Sequence, residues 1–88
     1  MDIAVKLHIK NHCIETEARR EFSRLMDTYF NTDDVEGELD GRIELLRDFL
    51  ENSDFRALRS SDQRLSGERE SDVVITRCEK GSINLEVF

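Results

Sequence analysis

An α+β two-layer sandwich is the architecture expected of this chain. Two amphipathic helices should cover one face of a three- or four-stranded mixed or antiparallel sheet, in the order β-α-α-(β)-β-β with a C-terminal hairpin. Three features of the sequence lead there. Residues 2–10 alternate strictly between apolar and polar, two central segments repeat apolar residues at three- and four-residue steps, and two alternating segments flank Lys80-Gly81 near the C-terminus. With 88 residues there is room for one hydrophobic core, so residues 1–88 are expected to form a single domain.

The first element is a half-buried strand. Ile3, Val5, Leu7 and Ile9 fall on one face and Ala4, Lys6, His8 and Lys10 on the other. From Glu15 to Phe30 the residues Ala18, Phe22, Leu25, Met26 and Tyr29 line one side of a helix, while Glu17 with Arg20 and Glu21 with Arg24 can pair on its outer side. Residues 31–41 break that pattern and read as a loop. Helical spacing returns with Ile43, Leu45, Leu46, Phe49 and Leu50, which gives a second helix from about Asp40 to Glu51, ended by Asn52 and Ser53.

Between Asp54 and Ser60 two readings compete. Phe55 and Leu58 suit a short helix capped by Ser53, whereas Phe55 and Ala57 suit a short strand, and the strand is the preferred expectation. Residues 60–71 hold Leu65 as their one large apolar side chain, with Gly67 close by, and read as a polar surface loop. The C-terminal hairpin follows, with Val73 to Glu79 and Ser82 to Phe88 joined through Lys80-Gly81, since Gly supplies the positive φ of a tight turn. If Glu79 faces Ser82, Cys78 pairs with Ile83, Thr76 with Leu85 and Val74 with Val87, and this set forms the core face. Val73, Ile75, Arg77, Asn84, Glu86 and Phe88 then face outward.

Charge and composition exclude several functions. The net charge of −7 opposes binding to a phosphate backbone, and Arg, at ten residues to three Lys, is mostly interleaved with acids. Lys6, His8, Lys10 and Arg77 on the open sheet face would be the only nucleic-acid surface, and nucleic acid is not an expected partner. No apolar stretch approaches the ~18–20 residues that span a bilayer, so no membrane association is expected. The N-terminus leads into a charged strand rather than a signal peptide, which makes a cytoplasmic location the default, with Cys13 and Cys78 as reduced thiols.

Two surfaces carry functional expectations. The first is acidic: Asp33, Asp34, Glu36, Glu38 and Asp40 lie within eight positions without a basic residue. From Glu36 to Glu44 the chain resembles part of the calcium loop of an EF-hand. Glu36, Glu38 and Asp40 stand at the first, third and fifth ligand positions, Gly41 at the sharp turn and Glu44 at the ninth position. Arg47 stands where the terminal bidentate Glu belongs, so the chain departs from that family at its strongest ligand. What remains is a looser Ca²⁺ site through Asp33, Asp34, Glu36, Glu38, Asp40 and Glu44, against a solvated turn ahead of a helix.

The second surface is apolar. Val73, Ile75 and Phe88, with Ala4 beside them, would form an uncovered strip on the sheet and point to a homodimer or another protein partner. His8, His12, Cys13 and Cys78 lack the spacing of a zinc site. His12 and Cys13 are adjacent on an extended chain and point apart, so they do not form a nucleophile–base pair. No enzyme class is supported, and the function expected is binding or self-association.

Overall fold

The computed structural model describes residues 3–32, 37–77 and 81–88. Strand β1 (Ala4–Ile9) buries Val5, Leu7 and Ile9 and turns Lys6 and His8 outward, as the alternation requires. The chain leaves it through Asn11, which adopts a left-handed φ of 67° that Asn tolerates better than most residues. Helix α1 (Ile14–Asn31) follows, with Glu15 and Glu17 in its first turn complementing the helix dipole. Its buried stripe is Ile14, Ala18 and Leu25, and the Glu17–Arg20 and Glu21–Arg24 pairs form, on the flank beside β1 rather than on the outer side. The helix outruns the sheet, so Tyr29, expected inside, is exposed along with Phe30, and the two rings meet edge to face at 5.7 Å.

Helix α2 (Glu38–Asn52) begins two residues before the expected Asp40 and buries Ile43, Leu45, Leu46 and Phe49. The left-handed turn before it is made by Gly37 (φ 71°), not Gly41. Gly41 lies inside the helix, where the side chain of Ile3 occupies the space a β-carbon would need. Its hydrogen lets α2 settle against the start of β1.

Residues 55–61 form a helix, α3 (Phe55–Ser61), where a strand was expected. The cap is Asp54 rather than Ser53: its carboxylate accepts from the Ala57 N–H at 3.1 Å. Phe55 stacks edge to face on Phe49 of α2, with centroids 5.3 Å apart, while Ala57 is exposed. Ala57 therefore does not share the buried face of Phe55, as a strand would require. The segment expected as a polar loop contains a 3-10 turn (Gln63–Ser66) that places Leu65, 1% exposed, in the core. Asp62 caps this turn by accepting from the Arg64 N–H. Gly67 closes it at φ 91°, against the backbone of His12, where no β-carbon fits.

Strands β2 (Ser71–Arg77) and β3 (Ile83–Val87) complete an antiparallel sheet in the order β1-β2-β3, and the described residues contain no fourth strand. The hairpin exists, but its register differs by one residue from the expected one: Val73 pairs with Val87, Ile75 with Leu85 and Arg77 with Ile83. Because side chains alternate between faces, the slip exchanges the two faces of β2. Val73 and Ile75 lie 0% exposed under the helices, and Val74 and Thr76 lie on the open face. Ile83, Leu85 and Val87 keep the inner face expected of them. β1 decides the outcome, since its register sets Val5 opposite Ile75 and Leu7 opposite Val73 in the core.

Candidate functional site

Phe88, 67% exposed, is the only member of the expected apolar strip at the surface. Val73 and Ile75 cannot touch a partner without unfolding, so the strip as drawn from the sequence does not form. Arg77 also leaves the open face. Its guanidinium donates to Asp48 of α2 at 2.6 Å and to the Gly81 carbonyl at 3.3 Å.

Of the six acidic residues, the structure describes the side chains of two, Asp40 and Glu44, both on α2. Asp33, Asp34 and Glu36 lie outside the described residues, as does the side chain of Glu38. Asp40 is exposed in the first turn of α2, and Glu44 pairs with Arg47 at 3.8 Å on the same helix. Because residues 38–44 are helical, their backbone does not follow the calcium-loop path that the spacing resembled. Among the described residues, no group of three or more His, Cys, Asp and Glu side chains is placed to hold a metal ion.

The remaining titratable candidates are structural neighbours of the sheet. His8 stands on the open face between two carboxylates, with Nδ1 2.7 Å from Asp72 and Nε2 2.7 Å from Glu70. The hydrogen bond to Asp72, opposed by partial desolvation and aided by Glu70, raises its pKa above the ordinary value. These acids also cancel the basic character expected of that face, so Lys6, His8 and Lys10 are not a cationic patch. Cys13 caps α1. Burial works against its thiolate, but the Thr16 hydroxyl at 3.5 Å, the nearby backbone N–H groups of Thr16 and Glu15, and Arg59 outweigh it and lower the thiol pKa. The Arg59 contact is long, 3.9 Å from Nη1 to Sγ. His12 is exposed beside the turn, and Cys78 lies outside the described residues.

What the structure brings together instead is a cleft of about 740 Å³ between β3 and the α2–α3 corner. Phe49 and Leu58 form its helical wall, Ile83 and Leu85 its sheet wall, and the Asp48–Arg77 pair closes one rim. α1 and α2 approach the sheet most closely over β1. The inner side chains of β3 are consequently only half-buried, in contrast to those of β1 and β2. β3 is also a sheet edge, with no neighbouring strand on its far side among the described residues. Ile83 and Leu85 were expected on the inner face. The short helical layer above them was not, because it follows from where α2 and α3 meet in space.

Fold and surface together define a small two-layer α+β domain, with helices on one face of a three-stranded antiparallel sheet and an open apolar edge. Within that class, the chain belongs to a protein family whose model matches residues 1–85. A relative from Archaeoglobus fulgidus, described as "Uncharacterized protein", is 39% identical over 75 residues, covering 83% of this chain and 86% of the relative. No solved structure matches the chain. Among the described residues, no helix is long and apolar enough to cross a membrane.

Proposed function

We propose that this domain acts by association rather than catalysis, through the open edge of β3 and the cleft beside it. The supporting observation is the half-buried row Ile83, Leu85 and Val87 on a strand with an unpaired edge. An unpaired edge offers backbone donors and acceptors to an extended segment, and alternate side chains of that segment can enter an adjoining apolar groove. Here the groove is lined by Phe49, Leu58, Ile83 and Leu85.

The two edges of the sheet are unequal in this respect. β1 carries Lys6 and His8, with Lys10 just beyond it, and Lys is a residue by which edges resist pairing. β3 carries one charge, Glu86, and neither Lys nor Pro.

The test is an NMR titration of labelled protein with an unrelated extended peptide of alternating valine and lysine, whose basic residues suit an acidic domain. The expected result is shifts confined to β3, Phe49 and Leu58. Absent shifts, or shifts spread over α1 and β1, would remove the reading.

A further inference from the structure

We propose that the occupant of the β3 edge is a second copy of this chain, paired antiparallel about a two-fold axis at Leu85 to form a continuous six-stranded sheet. This rests on the association reading above and adds the partner and its register.

The hydrogen-bonding phase of β3 sets which backbone groups are free. The Phe88 N–H donates to the Asp72 carbonyl at 2.8 Å. Given that bond and the register of the hairpin, Asn84, Glu86 and Phe88 are the residues that bond to β2. Ile83, Leu85 and Val87 therefore turn their N–H and C=O groups toward the open edge. An incoming antiparallel strand must present residues of the same phase.

A copy of β3 does so, and few two-fold registers satisfy it. Centred on Leu85, the pairing sets Ile83 opposite Val87 of the second copy and Leu85 opposite Leu85, using every outward group of the strand for about six hydrogen bonds. Centred on Glu86, it would set two carboxylates face to face. Centred on Asn84, it would carry Val87 past the strand to Gly81. In the Leu85 register Asn84 lies opposite Glu86 of the second copy, in the closely spaced, non-hydrogen-bonded type of pair. The Asn84 amide can then donate to that carboxylate, so charge and hydrogen-bonding capacity are complementary on the outer face. On the inner face Ile83, Leu85 and Val87 of the two copies form one apolar strip joining the two clefts.

The β1 edge lacks this self-complementarity. A two-fold at Leu7 sets Lys6 opposite His8, and one at Lys6 sets two ammonium groups together. The net charge of −7 on each copy repels at long range, so association should strengthen with salt.

Sedimentation equilibrium of the full chain over a wide concentration range, at low and high salt, tests the proposal. The expected result is a monomer–dimer equilibrium tightened by salt. Asn84→Lys should tighten it and Asn84→Asp should weaken it, each by about twofold to thirtyfold, since two symmetry-related pairs change together. Ser23→Lys and Ser23→Asp on the exposed side of α1 alter net charge equally and should move it less. Leu85→Pro removes an outward N–H without touching the ladder to β2 and should give a monomer, and the Asn84 pair provides the answer should that variant fail to fold. A chain monomeric at all concentrations, or a dimer indifferent to the Asn84 exchange, overturns the proposal. A monomer that still binds the valine–lysine peptide at β3 overturns the second copy and leaves the association reading standing; a monomer that binds no peptide ends both.

Discussion

His8 is the described side chain whose charge state the structure ties most directly to pH. Its ring spans Asp72 and Glu70, both acceptors, and protonation lets both ring nitrogens donate. Its folded pKa is raised above the ordinary value of about 6.5. The stabilisation from the ion pairs is therefore fully present below about pH 6.5 and is lost as pH rises through the folded pKa. His8→Gln should melt below the wild type in mildly acidic buffer and approach it in mildly alkaline buffer, followed by circular dichroism. A constant difference across that range would show that the two carboxylates do not recognise the imidazolium. The alternation of β1 already put His8 on the wet face. Its acidic neighbours, Asp72 in β2 and Glu70 just before it, are 64 and 62 residues away in the chain and are brought to it by the β1–β2 pairing.

At the scale of elements, α3 and the 3-10 turn are where local patterning was least informative. Seven residues offer too few periods to separate a helix from a strand. The decision is made by a cap and an anchor, Asp54 on the Ala57 N–H and Phe55 on Phe49. Asp54→Ala should cost about 0.5–2 kcal/mol in denaturant unfolding, with partial loss of α3 helicity. Gly67→Ala should cost more than Ala costs at an open turn, because the new methyl meets the His12 backbone and φ is positive. Hydrogen exchange should then show the 63–66 segment undocked and Leu65 newly accessible. A denaturation midpoint unchanged from wild type would show that the close approach relaxes freely.

For the molecule as a whole, the one-residue difference in hairpin register changes what β2 is for. Taken alone, residues 73–88 allow Val73 and Ile75 on either face, because both faces of β2 carry apolar residues. Pairing with β1 removes the choice: Val5, Leu7 and Ile9 must share a face with their partners, and burying Val73 and Ile75 satisfies that. Ile75→Asp should therefore unfold the domain, at a cost above about 4 kcal/mol, rather than release a partner. Phe88→Asp, at a site 67% exposed, should change stability by less than about 0.5 kcal/mol. A folded, monomeric Ile75→Asp protein would restore Val73 and Ile75 to the surface.

The sequence by itself determined the elements with long, strongly periodic patterns: β1, α1, α2 and the existence of the hairpin, together with their assembly into two layers. Those features are local, set by side-chain spacing against the 2-residue and 3.6-residue repeats of the backbone. The tertiary structure decided the register of β2, the helical state of residues 55–61, the burial of Leu65 and the open inner face of β3. Each of these depends on which surface a distant segment presents, and spacing along the chain carries no information about that. The cleft beside β3 belongs to the second group, since it exists because the helical layer ends short of the third strand.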